Sequence, residues 1–116
     1  MPPQKNLEIR LRCWITLEGE KFFGPGRMQL LLGIQQEGSI SKAAKTMGMS
    51  YKKAWDMIND LNARGQQPYV ILKKGGEMGG GAELTPHALQ VIELFKNLNA
   101  QLKNVAEAEE NLLDLL

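Results

Sequence analysis

The run from Tyr51 to Asn59, YKKAWDMIN, gathers side chains suited to meeting a nucleic acid. Lys52 and Lys53 can neutralise phosphates or bridge the acceptor edge of guanine, and Asn59 can pair with adenine. Tyr51 and Trp55 add aromatic surface to the same face. Asp56 is ill suited to phosphate. It can accept from a cytosine amino group, or hold Lys52 through an i,i+4 ion pair, and the spacing favours the pair. Further along, Lys73 and Lys74 precede a glycine-rich loop that can lie on a backbone or reach into a minor groove. Taken singly these features are weak, because a lysine doublet on a helix is ordinarily a solvated face and Trp55 can pack on a neighbouring element. Their order along the chain carries the reading.

Other chemistries lack residues. Cys13 is the only cysteine and His87 the only histidine, so neither a disulfide nor a cysteine knuckle can form within the chain. Cys13 lies in an apolar phase and reads as a buried packing residue, while His87 reads as a surface or capping residue. No nucleophile–base set or paired carboxylates stand out, and no metal or cofactor is expected. The glycine loop lacks the GKS or GKT ending of a nucleotide-binding loop and runs into Ala-Glu-Leu-Thr-Pro, so enzymatic activity is not expected. No apolar run reaches the ~20 residues needed to span a bilayer, and the first residues lack the apolar core of a secretory signal. A cytoplasmic protein without a membrane partner is the resulting expectation.

The elements that must position the 51–59 face are legible in outline. Residues 7–17, LEIRLRCWITL, alternate with a period of two, which predicts a strand, and Lys21-Phe22-Phe23 a short returning strand after a turn at Glu18-Gly19-Glu20. Gly24-Pro25-Gly26 opens a first helix with Met28, Leu31, Leu32 and Ile34 or Gln35 inward, ending at Gly38. Ser41 is read as the cap of a second helix whose Ala43, Ala44 and Met47 face inward, and Gly48 ends it. Ser50 caps the third helix, in which Ala54, Met57, Ile58 and Leu61 form the inward stripe. Tyr51, Lys52, Trp55 and Asn59 are thereby turned outward, with Asp56 at the edge. This is a helix-turn-helix, and the strand Tyr69–Leu72, the loop over 73–81 and the strand Ala82–Leu84 complete a wing.

Thr85-Pro86 starts a fourth helix. From there Val91, Phe95, Leu98, Leu102, Val105, Glu109, Leu112 and Leu116 step by fours and threes, predicting one helix of about 45 Å with a heptad seam. So long a stripe exceeds what a small domain can cover, and a second copy of the chain is the expected partner, through Val91, Phe95, Leu98, Leu102, Val105 and Leu112. The fold class is therefore α+β, a winged helix-turn-helix with an N-terminal β-hairpin and a long C-terminal dimerisation helix. Residues 1–85 form the DNA-binding unit and 86–116 the dimerisation helix.

Charge is segregated. The 116 residues carry a formal net charge of only +1, yet residues 39–76 hold seven cations against Asp56 and Asp60. The stretch from 86 onward holds Lys96 and Lys103 against five carboxylates. A polyanion answers to the local field rather than the sum.

The run GSISKAAKTMGMSYKKAWDMINDLN, followed by KKGGEMGGGAELTP, closely resembles the N-terminal domain of the molybdate-responsive ModE-type transcriptional regulators, itself similar to the winged helix of LysR-type regulators. The resemblance runs from about Gly24 to Leu98, and its most specific parts are Met49 to Trp55 and the glycine-rich wing. It implies a dimeric module binding double-stranded DNA, with Ser50, Tyr51, Lys52, Lys53, Trp55 and Asp56 on or beside the recognition surface. Ser39, Ser41 and Lys42, at the start of the second helix, join Asn59, Lys73 and Lys74 as candidate DNA contacts. The chain reaches Leu116 without an oxyanion-binding domain, so it is read as a stand-alone module, and no position matches a molybdate ligand. The expected function is a sequence-specific transcriptional regulator acting as a homodimer. The alternative is a protein-interaction module using the third helix and the tail.

Overall fold

Turn chemistry sets the path of the chain in the computed structural model, which describes residues 6–74 and 81–116. Strands β1 (Ile15–Leu17) and β2 (Glu20–Phe23) pair antiparallel across Glu18 and Gly19, both with positive φ (52° and 83°). Two positive φ values in a two-residue loop match the natural twist of a hairpin. The expected long strand over 7–17 is reduced to its last three residues. The reason is pairing: β2 ends at Phe23 and helix α1 (Pro25–Glu37) begins two residues later, leaving nothing opposite residues 7–14. That segment carries no regular secondary structure and runs beside the C-terminal helix, where Leu7, Ile9, Lys103 and Ala106 line one groove. Cys13 is half-buried against the core rather than enclosed.

Gly38, in the left-handed conformation, ends α1 and donates its N–H to Ile34 O at 2.7 Å. Helix α2 (Ile40–Thr46) follows at once. Its cap is Ser39, whose hydroxyl accepts from the Lys42 N–H at 3.2 Å, and not Ser41, which is exposed two residues on. Ile40, buried directly after the cap, anchors that earlier start. Gly48 (φ 68°) turns the chain, and Ser50 caps α3 (Tyr51–Arg64) by accepting from the Lys53 N–H at 3.0 Å. At the α1–α2 crossing Gly33 lies where a Cβ would come within 3.2 Å of the Ala43 methyl, so small residues set the approach of the two helices.

Leu30, Leu31 and Ile34 of α1, Ala43 and Ala44 of α2, and Ala54, Ile58 and Leu61 of α3 form the centre of the core. Each fully buried leucine or isoleucine contributes roughly 1.5–3 kcal/mol by removal from water. The wing strands β3 (Val70–Lys73) and β4 (Gly81–Leu84) pair antiparallel with Val70 opposite Leu84 and Lys73 opposite Gly81. The glycine-rich stretch expected between them falls, for residues 75–80, outside the described residues. Thr85 caps α4 (Pro86–Glu107), accepting from the Ala88 N–H while donating to Pro68 O at 2.7 Å.

Helix α4 does not continue to the end of the chain. It stops at Ala108–Glu109, and a short helix α5 (Glu110–Leu115) follows. Its 22 residues give about 33 Å instead of the expected 45 Å. The stop falls where Glu107, Glu109 and Glu110 gather, and like charge at a helix C-terminus opposes the helix dipole. Phe95, expected on the dimer seam, is buried in the protomer's own core, edge-on to Phe23 at 5.0 Å, and Val91 packs against the same core. The architecture is an α+β winged helix with a long C-terminal helix.

Candidate nucleic-acid interface

Burial of Ala54, Ile58 and Leu61 leaves the opposite side of α3 in solvent: Tyr51, Lys52, Lys53, Asp56 and Asn59 are all exposed. Trp55 departs from the outward expectation. It is half-buried against the core, and Tyr51 stands edge-on to it at 6.1 Å. Trp55 thus supports the face on which Tyr51 projects. Lys52 Nζ and Asp56 Oδ2 lie 2.9 Å apart, the i,i+4 pair that the spacing suggested. That hydrogen bond, and then the carboxylate charge, raise the Lys52 pKa above the ordinary lysine value. Lys53 makes no ion pair among the described residues.

The other candidates lie on the neighbouring elements and at the start of α3 itself. Ser50 and Ser39 use their hydroxyls to cap their own helices, keeping the O–H free to donate outward. Ser41 and Lys42 are exposed at the start of α2. In the wing, Lys73 Nζ meets Glu83 Oε2 across the strand pair at 2.9 Å, and Lys74 is exposed just past β3.

What holds α3 in place was not evident in the sequence. Asp60, one turn beyond Asp56 and facing inward, accepts from Arg64 through Nε (2.7 Å) and Nη2 (2.8 Å), and from Arg27 Nη1 at 2.6 Å. Arg27 donates through the same nitrogen to Phe22 O, and Arg64 reaches Glu20 at 3.6 Å, so α1, β2 and α3 share one charge network. The Arg64 hydrogen bonds, joined by Arg27, hold the Asp60 carboxyl at about 2, below its usual 3.8. At the end of α3, Asn62 accepts from the Tyr69 and Val70 N–H groups (2.7 and 3.3 Å) and donates to Val70 O (3.1 Å), bolting the helix to the wing. The Asp60/Arg64 spacing was a usable signal for half of this. Arg27 lies 33 residues away from Asp60, and nothing local announces it.

Helix α4 carries two apolar stripes. Ala88, Ile92, Phe95 and Ala106 are buried, while Leu94 (60 % exposed), Leu98 (38 %) and Val105 (65 %) line up about a quarter turn away and face solvent. Leu102 is half-buried, and Leu112 is exposed on α5. Among the described residues no group of three His, Cys, Asp or Glu could hold a metal ion, and no helix is long and apolar enough to cross a membrane.

No family model matches the chain. Individual relatives do. It is 44 % identical over 89 residues to "Transcriptional regulator ModE" of Yersinia pestis, a match covering 77 % of this chain and 34 % of that one. It is 41 % identical over 100 residues to "DNA-binding transcriptional dual regulator ModE" of Escherichia coli K12 (86 % and 38 %). With "Molybdenum-pterin-binding protein MopB" of Rhodobacter capsulatus the identity is 38 % over 92 residues (79 % and 34 %). The chain thus spans little more than a third of the length of these curated relatives.

Proposed function

The chain is a homologue of the ModE-type regulators over a stretch covering about a third of their length, and from that premise we propose that it binds double-stranded DNA in a sequence-specific way and regulates transcription. The observation that carries this reading is the bare face of α3. Tyr51, Lys52, Lys53 and Asn59 stand in solvent on a helix tied by the Asp60 network to α1 and by Asn62 to the wing that carries Lys73 and Lys74. In this arrangement the N-terminal turns of α3 enter the major groove, where Lys52, Lys53 and Asn59 reach base edges or phosphates. Ser39, Ser41, Lys42 and Ser50 border the adjoining backbone, and the wing lies along the next phosphates. Residues 1–85 supply the DNA-contacting surface.

The module acts as a homodimer, joined through residues 86–116. The stripe of Leu94, Leu98 and Val105 supports this, because a protomer that already buries Phe95 has no use of its own for three further solvent-facing apolar residues at helical spacing. We assign it no catalytic role, cofactor or molybdate site. The proposed partner places it in the cytoplasm.

The test is the variant carrying Lys52→Ala and Lys53→Ala. Its far-UV circular dichroism and melting temperature should match the parent. Its affinity for the best duplex selected from host genomic fragments should fall about 10- to 100-fold at physiological salt, with the slope of log K against log salt shallower by roughly one phosphate contact, that of Lys53. Parent-like affinity would remove α3 from the interface. The exposed leucine stripe also suits a protein partner, and failure of the parent chain to bind DNA even at low salt would favour that reading.

A further inference from the structure

We propose that Asp56 is a specificity residue: it withholds Lys52 from phosphate, so that the α3 face binds poorly wherever it meets only the sugar–phosphate backbone. The inference rests on the DNA-binding reading above and assigns a role within that site.

Asp56 does nothing evident for the fold. Its side chain is 63 % exposed, and among the described residues its one hydrogen-bonding partner is Lys52 Nζ at 2.9 Å. An exposed i,i+4 pair adds little to the stability of a helix. Asp60, four residues on, shows the contrast, since it faces inward and ties three elements together. A carboxylate one turn along α3 from the Lys52–Lys53 doublet opposes a polyanion twice. It occupies the charge of Lys52, and it is itself repelled by phosphate.

Both penalties lapse at a G·C pair in the major groove. Guanine N7 and O6 accept from a lysine, and the cytosine amino group donates to a carboxylate. The Lys52–Asp56 pair can open there with each member finding a new partner. On a backbone surface Lys52 gains a phosphate while Asp56 gains nothing. The geometry therefore favours a base-pair edge over phosphate, trading total affinity for discrimination.

The experiment uses Asp56→Asn, which keeps the shape and removes the charge, with a fluorescent random-sequence duplex of about 30 base pairs as the probe. Affinity for this probe should rise about three- to tenfold, and the slope of log K against log salt should steepen by roughly one phosphate contact. The ratio of affinity for the best wild-type-selected duplex to affinity for the random probe should fall by at least the same factor. A gain of binding cannot come from unfolding. On a Lys52→Met background the gain should shrink to less than half. Unchanged or weaker binding of the random probe by Asp56→Asn overturns the inference, as does an undiminished gain in the absence of Lys52. If the unmodified protein fails to bind the random probe at low salt, the DNA-binding reading itself falls and takes this inference with it.

Discussion

Replacing Asp60 by asparagine should expose how much of the anchorage of α3 is electrostatic. The native carboxyl is held at about 2 against an ordinary 3.8, first by the Arg64 hydrogen bonds and then by Arg27. A displacement of that size corresponds to roughly 2.5 kcal/mol of stability at neutral pH. The Asp60 side chain is 28 % exposed, and solvent screening reduces the usable share to about 1–2 kcal/mol. Because the folded-state value lies below the unfolded one, this contribution is complete well above 3.8. It declines as the pH falls toward 2 and is gone below that. Urea unfolding, followed by circular dichroism and the fluorescence of Trp14 and Trp55 at fixed protein concentration, should show Asp60→Asn about 1–2 kcal/mol less stable at pH 7. The two proteins should converge to within about 0.5 kcal/mol near pH 2. A gap of the same size at both pH values would show that shape, not charge, is what Asp60 supplies, and no gap at pH 7 would refute the clamp.

Two other substitutions probe separate parts of the fold. Leu94→Lys with Leu98→Lys should leave the protomer folded, because both side chains face solvent, yet shift sedimentation from dimer to monomer at micromolar concentration and weaken binding to a two-fold DNA site. A parent already monomeric at that concentration would dispose of the seam. Gly24→Ala should cost about 1–3 kcal/mol, since the new methyl group would overlap the Trp14 indole, and adding Trp14→Ala should relieve the overlap. Equal thermal denaturation of Gly24→Ala and the parent would show that the indole simply moves aside.

Much of this fold could be read from punctuation. Gly38, Gly48 and Ser50 announce the helix-turn-helix because each acts within a few residues of itself, as a left-handed stop or a hydroxyl cap. The choice of Ser39 over Ser41 depends on Ile40 reaching the core, and that is a tertiary fact. The alternation over residues 7–17 was real, but a strand needs an opposite strand, and Pro25 removes it. On α4, periodicity revealed an apolar helix without revealing which stripe the protomer keeps. Phe23 claims Phe95, and the seam expected from heptads divides into an inward half and an outward half. Of the candidate interface, the lysines and the Lys52–Asp56 pair were legible from local spacing. The Arg27–Asp60 contact and the Asn62 bolt join distant stretches and leave no local trace.

The carbonyl of Gly38 accepts from the Ala82 N–H at 3.0 Å, so the end of α1 grips the second strand of the wing through main-chain atoms alone. No side-chain replacement removes that carbonyl. The spacing between the end of α1 and the wing strands is therefore cast in the backbone. Under the DNA-binding reading proposed above, Lys73, Tyr51 or Asn59 can be exchanged, and the preferred sequence altered, without touching that contact.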